Sequence, residues 1–345
     1  LLLVAALLGD VPVPAESVQA AIGKSLEFLE DEGLAWKNDR KCASCHHVPM
    51  MIWSFNEARR AGYSVNGEVL SELTRYTLTD AAAKVFPDPD PPAQTQPAAE
   101  AAPGAQAGAV QPVPRYVGLQ LSAVFTALAI ESQPQWDDTA RDAWNRIATH
   151  ARDKQTLDGS WAGPGGRGPI LDQTEGVTAL GILTMIPPAA NAANVADLTA
   201  VRAKALEWLD ARQLPGMTHQ AVALRLLAAT RLGRPANELA PLIAEILRRQ
   251  NSDGGWRQTW DRPSDAFATG QSLYVLKAAG VGSDHPALQK AIAWLLKTQG
   301  QDGSWQMVSR PVVGAPSNDK PNNTGPISYS ATAWATMGLA RAVPK

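Results

Sequence analysis

A chain of 345 residues has room for one large domain or two ordinary ones, and 45% hydrophobic with 19% charged residues suits a folded protein with a sizeable core. The net charge of −2, with no Lys/Arg-rich stripe, argues against nucleic acid and anionic membrane surfaces as partners. Residues 1–9 are almost wholly apolar, yet no apolar run reaches the ~18 residues of a membrane span. They read as the h-region of a secretory signal with cleavage near Ala15. Residues 1–16 are then leader, the mature chain has no transmembrane span, and the protein is periplasmic or secreted. The other reading of the segment is a short buried stretch.

Residues 17–32 repeat Ile22, Leu26 and Leu29 at helical spacing, with Ser17 as N-cap and Gly33 as the stop. The loop stretch 41–51 comes next and holds both cysteines of the chain and two of its five histidines. Cys42, Cys45 and His46 form Cys-x-x-Cys-His. Two thiols at i and i+3 reach the two vinyl groups of one porphyrin, and the next histidine is placed to ligate the iron. The pattern resembles the attachment site of c-type cytochromes. That resemblance implies one covalent haem c on Cys42 and Cys45, with His46 as proximal iron ligand and assembly outside the cytoplasm. A redox dithiol or a partial metal site are the alternatives.

A second helix is predicted over residues 49–61, with Pro49 in its first turn and Gly62 as its stop, and a third over 69–86. From 87 to 114 the chain carries eight Pro, many Ala and Gln and no aromatic residue, which reads as a disordered insertion looped out of the domain. An Ala/Leu-rich helix resumes at 119–131.

A pattern then repeats. Helices predicted over 140–154, 241–249 and 287–298 run into Gln155, Gln250 and Gln299, each six residues ahead of Trp161, Trp256 and Trp305, with Asp-Gly-Ser or Asp-Gly-Gly before the Trp. After each comes a Gly/Pro-rich loop and a helix rich in small residues, at 175–185, 268–279 and 329–342. A degenerate copy occupies 198–212 and 219–232. It accounts for the Trp-to-Trp distances of 95 and 49 residues. Six helix-loop-helix units result, starting near Ser17, Val69, Ala140, Leu198, Pro241 and Ala287. A period near 50 with two helices per unit predicts an all-α fold, an α/α toroid of about twelve helices in inner and outer rings. Residues 17–345 form its single domain.

The Gln…Asp-Gly-x-Trp pattern resembles the QW motif of squalene-hopene cyclases and the glycine-rich repeat of prenyltransferase β subunits, from residue 140 onward. The resemblance implies the toroid, with the Gln amides and Trp rings tying adjacent repeats together. The chemistry of those families does not carry over. No Asp-x-Asp-Asp acid run exists, Asp88-Pro89-Asp90 lies in the insertion, and no cysteine comes after Cys45, so no zinc is expected.

In unit one the Cys-x-x-Cys-His stretch takes the place of Asp-Gly-x-Trp, at the mouth of the ring. His219 aligns with Gly270 when Thr218-His219-Gln220 is set on Thr269-Gly270-Gln271, and in unit four it lies across the ring from unit one. It is the candidate distal iron ligand; a solvated or capping histidine is the alternative. Asp265, Asp172, Glu175, Tyr329 and Trp260 gather around the same mouth. Asp265, Asp172, Glu175 and Tyr329 are weak catalytic candidates, and helix N-capping is the alternative role for Asp265 and Asp172. The expected function is an exported mono-haem c-type protein on a cyclase-like toroid, passing electrons to a redox partner or binding a small molecule. The alternative is a diverged cyclase-like enzyme, or a lipid- or small-molecule-binding module without the acid motif.

Overall fold

A computed structural model of the chain describes residues 13–40, 47–81, 119, 121–162, 173–188, 197–307 and 325–345. Twelve α-helices run through them, and no strand occurs among the described residues. They form six consecutive pairs: α1 (Ala15–Arg40) and α2 (Val48–Arg60), α3 (Gly67–Tyr76) and α4 (Leu121–Ser132), α5 (Asp138–Asp153) and α6 (Thr174–Leu183). The other three are α7 (Thr199–Asp210) and α8 (His219–Arg231), α9 (Ala236–Arg248) and α10 (Ala266–Ala278), α11 (Pro286–Thr298) and α12 (Gly325–Ala342). A π-helical turn, Thr77–Ala81, extends α3.

The second helix of each pair touches the second helix of the next, and α12 returns to α2, so six inner helices close a ring. The first helices lie outside it. Residue type decides which is which. Helix α4 is buried from Ser122 to Ser132 and α6 from Gly176 to Leu183, all round, as an inner position demands. Helix α5 buries only Ala140, Ala143, Trp144, Ile147, Ala148 and Ala151, one stripe at i, i+3, i+4, i+7. The predicted all-α toroid of six hairpins is the observed architecture.

The repeated Gln and Trp hold this ring in different ways. The Gln155 amide donates to the Gly159 carbonyl in its own loop at 3.0 Å and to Val201 of the next outer helix at 2.9 Å. Gln250 does the same with Gly254 and Ala287, at 2.8 and 2.7 Å. Gln299 joins Gly303 to Ala21 of α1, both at 2.9 Å, and so fastens the last unit to the first. The Trp rings stay within their own units. Trp161, Trp256 and Trp305 donate from Nε1 to Ala151, Ile246 and Leu295 of the outer helix just left, at 2.7, 2.7 and 2.9 Å. Gly159, Gly254 and Gly303 have φ of +97°, +92° and +84°, and each lies against a lysine backbone of the next outer helix, Lys204, Lys290 and Lys24. A side chain there would be both strained and obstructed.

Three local expectations change. Helix α1 runs through Gly33 to Arg40; a Cβ at Gly33 would meet Met51 Sδ at 3.0 Å and Tyr329 Oη at 3.3 Å, so the glycine serves close packing of α1 on the inner ring and not a helix stop. Helix α9 begins at Ala236 and carries Pro241 inside it, on an outer helix that buries only Leu242 and Ile246. His219 opens α8 directly after its N-cap Thr218, whereas Gly270 comes five residues after the α10 N-cap, Asp265. The alignment of the two is therefore one turn out. The insertion 87–114 lies outside the described residues.

Candidate functional site

Cys42, Cys45 and His46 lie outside the described residues, as does Asp172. His47, directly after the motif and directly before α2, is buried between two rings, Trp36 at 3.7 Å and 12° and Tyr329 at 4.4 Å and 24° between planes. Tyr329, from the start of α12, donates its hydroxyl to the Leu29 carbonyl at 3.1 Å. Burial, reinforced by Glu32, raises its phenol well above the ordinary value, so it acts as a neutral donor. The sequence placed Tyr329 at the mouth; the structure makes it one wall of an aromatic stack with His47 and Trp36 of α1.

The other sequence candidates divide. Asp265 is an N-cap: Oδ1 accepts from Ala268 N at 2.8 Å and Oδ2 from Gln258 N at 3.1 Å. Both oxygens are used in holding backbone, the structural role weighed for it. Glu175 sits half-buried in the first turn of α6. Among the described residues no cluster of three or more His, Cys, Asp or Glu could hold a metal ion.

His219 is 4% exposed and its Nε2 lies 2.6 Å from Ser272 Oγ on α10. The Ser272 hydroxyl proton is directed at the Ala268 carbonyl, 2.7 Å away. Nε2 must therefore carry the proton and donate, which leaves Nδ1 as a bare acceptor. Nδ1 is buried and has no hydrogen-bond partner within the described structure. Burial first, then the nearby Arg249 charge, push the imidazole down to about 3, so it is neutral across the physiological range.

His219 lines a cleft of about 180 Å³ with Gly216, Met217, Arg249, Arg257, Gln258 and Trp260 among its walls. Trp260 is 55% exposed and has the Arg248, Arg249 and Arg257 guanidiniums 5.8, 5.5 and 5.2 Å from its ring. Arg249 is spent on structure, bonding Glu245, Met217 O and Leu214 O at 2.8, 3.0 and 3.0 Å. Gln258 Oε1 and Arg257 Nε, like His219 Nδ1, are buried without a hydrogen bond. Three such atoms around one cleft are unusual, since buried polar atoms are nearly always satisfied.

At the other end of the inner ring lies a network the sequence did not reveal. Glu57 accepts from Arg60, Arg341 and Tyr274 at 2.6, 2.8 and 3.2 Å, and Glu131 accepts from Arg231 and Trp144 at 2.8 and 3.2 Å. Burial raises the Glu57 carboxyl, but Arg341, Arg60 and Arg231 together outweigh it and hold it below its ordinary value. For Glu131 burial wins over Arg231 and Trp144, and its carboxyl is pushed up to about 8. These groups line a second cleft of about 260 Å³. Above them Trp53, Tyr274 and Trp334, from α2, α10 and α12, meet edge to face with centroids 5.1 to 5.7 Å apart. Aromatic side chains fill the ring here.

Residues 214–344 match the family model of the squalene-hopene cyclase C-terminal domain. No curated protein matches the chain. Among solved structures, the chain is similar to a variant of the type II terpene cyclase MstE from Scytonema in complex with its substrate, geranylgeranyl dihydroxybenzoate. The identity is 14%, the match covers 96% of this chain and 98% of that one, and the TM-score is 0.54. The likeness is one of fold: a terpene-cyclase-like toroid.

Proposed function

We propose that the chain is a small-molecule-binding module built on a terpene-cyclase-like toroid. The observation that carries this reading is the cleft of about 180 Å³ at the start of α8, where Met217 and the exposed Trp260 ring stand beside the polar residues His219, Arg257 and Gln258. A concave site with an apolar wall and a few polar groups is the usual form of a small-molecule site. Turnover of a long polyprenyl chain is the weaker reading, since Trp53, Tyr274 and Trp334 occupy the space between three inner helices. The test is a ligand-observed NMR screen with small polar acids, amines and alcohols, repeated on a cleft-filling variant. Gly216→Trp serves, because Gly216 lines the cleft and a Cβ there meets nothing within 4 Å. Compounds should bind the native protein and lose binding in the variant. A screen without hits, or hits indifferent to the substitution, would overturn the reading.

A second reading is favoured by one observation, the His47 stack directly after the Cys-x-x-Cys-His motif. In it the protein is exported to the periplasm or secreted, and carries one haem c on Cys42 and Cys45 with His46 as proximal ligand. The haem then exchanges electrons with a redox partner, or binds a ligand, at the mouth of the ring. The Trp36–His47–Tyr329 stack anchors the chain one residue beyond the iron ligand, which a rigid redox centre requires. His219 fits a distal role poorly: Nε2 is committed to Ser272, and only Nδ1 remains. Co-expression with a cytochrome-maturation system should give a sharp reduced α band that survives acid-acetone extraction. Absence of the band removes the haem, and unchanged spectra in His219→Ala remove the distal ligand.

A further inference from the structure

We infer that the cleft where the inner helices finish is a site for a phosphoryl group, either free phosphate or the phosphate of a small monoester. It is separate from the cleft at the start of α8 and does not depend on it. Arg60 ends α2, Arg231 ends α8 and Arg341 is the last residue but one of α12, and all three line this cleft. Their side chains are 51%, 23% and 29% exposed, whereas those of Glu57 and Glu131 are 3% exposed. The carboxyls are therefore the floor and the guanidiniums the accessible face. A guanidinium has five N–H donors. Arg60 spends two, on Glu57 and the Ser132 carbonyl, while Arg341 and Arg231 each give one to a carboxyl, Glu57 and Glu131. Tyr274, whose hydroxyl donates to Glu57, lies against both Arg231 and Arg341. No nitrogen of Arg231 or Arg341 is buried without a partner, so their remaining donors reach solvent through the cleft.

Three forks from three helices suit a phosphoryl group better than a carboxylate. A carboxylate holds its two oxygens in one plane, whereas a phosphoryl group presents three acceptor oxygens around an axis, one to each guanidinium. Charge agrees. Glu57 stays ionised against its burial because the arginines hold it low, and Glu131, pushed up to about 8 by burial, is mostly protonated at neutral pH. Three cations then face one anion, an excess of two, which a phosphate of charge about −1.5 to −2 answers. The helix ends favour cations here, and the arginines are those cations. An anion meets the guanidiniums first, and Arg60 covers the Ser132 carbonyl at the end of α4. Ile186, Pro187 and Pro188 add an apolar wall. The volume, about 260 Å³, equals the liquid volume of roughly nine water molecules and leaves room for a small organic body.

Isothermal titration at pH 7 and fixed ionic strength tests the inference with three probes: phosphate, phenyl phosphate and acetate. Phosphate should bind the native protein about tenfold or more tightly than acetate, the gain expected for one further charge-assisted hydrogen bond. Phenyl phosphate tighter than phosphate assigns the site to a monoester, and equal affinities assign it to the free ion; either result supports the inference. Arg60→Met should weaken phosphate by about tenfold, and Glu57 keeps Arg341 and Tyr274 in that variant. An unaltered melting temperature would show that it folds. Arg59→Met is the control for charge alone, because Arg59 is exposed, bonds Asn56 and is not part of the cleft lining; phosphate binding should be unchanged. It should also be unchanged in Gly216→Trp, which fills the other cleft. Phosphate no tighter than acetate would overturn the inference, as would equal losses in Arg59→Met and Arg60→Met. So would loss of phosphate binding in Gly216→Trp, or no phosphate binding at all, the outcome if Glu57 and the helix ends already neutralise the arginines.

Discussion

Replacing Gly270 by Ala sets two effects against each other, and the structure decides the sign. Helix propensity alone favours Ala by about 1 kcal/mol in the middle of a helix. A Cβ at Gly270 of α10, however, would stand 2.5 Å from Trp334 C and 2.6 Å from Ala335 Cα of α12. Both are backbone atoms, so no rotamer change gives relief, and the two helices must part along the whole contact. That contact carries Phe267, Tyr274 and Trp334, whose edge-to-face packing weakens as the gap opens. Overpacking of this kind costs about 3 kcal/mol or somewhat more. After the propensity gain the net loss is about 2 kcal/mol or more. Gly23 is the control, because it sits exposed within α1 and a Cβ there meets nothing within 4 Å. Gly23→Ala should gain roughly 0.5–1 kcal/mol. Urea unfolding followed by far-UV circular dichroism measures both. A Gly270→Ala protein as stable as the native one would refute the reading of this crossing as backbone-to-backbone.

Gln299→Ala removes two hydrogen bonds, one of them the tie to α1, and should cost about 2 kcal/mol; Gln299→Glu, which places a carboxylate against two carbonyls, should cost more, and urea titration that ranks them the other way would refute the donor role. Glu131 has its carboxyl raised from 4.5 to about 8, so its proton is held more tightly in the fold and its contribution is complete below about pH 4.5 and lost as pH rises to 8. The stability difference between the native protein and Glu131→Gln should therefore change across that window, by at most ~1.4 kcal/mol per pH unit; a flat difference would mean a carboxylate ionised beside Arg231 throughout. His219 has the opposite sign. Its imidazole falls from 6.5 to about 3, so its contribution is present above about pH 6.5 and lost on acidification toward 3. His219→Gln, which keeps a donor for Ser272, should lack that acid loss when the two proteins are compared by urea unfolding from pH 7 to 4.

The toroid was legible because its Gln, Asp, Gly and Trp recur at fixed spacing, and the spacing is itself the bonding pattern: Gln155 reaches Gly159 four residues on and the next unit beyond it. Asp265 as an N-cap was legible for the same local reason. The charge network was not. Arg231 meets Glu131 across 100 residues, Tyr274 meets Glu57 across 217 and Arg341 meets Glu57 across 284, and no local pattern joins them. A signal was present all the same. Glu131 is the only charged residue of α4 and Arg341 the only one of α12, and a lone charge near the end of an apolar helix asks for a partner. His219 shows the limit of a short match. Thr-x-Gln fits two registers, and the N-caps Thr218 and Asp265 choose the other one.

The two ends of the ring differ because the inner helices all run one way. Each is entered from the side of the Gln–Trp loops and left on the opposite side, so six dipoles point together. The end where the inner helices finish is negative and rich in unsatisfied carbonyls. Arg60, Arg231 and Arg341 converge there, and Arg60 donates to the Ser132 carbonyl at the end of α4 at 2.9 Å. Glu57 then balances part of the added charge, and the cluster of Trp53, Tyr274 and Trp334 lies beside it. The end where the inner helices begin is positive, and the cleft lined by His219, Gln258 and Arg257 lies there. It is also the end at which His47 precedes α2. Parallel inner helices thus give the ring one end that favours cations and one that favours anions.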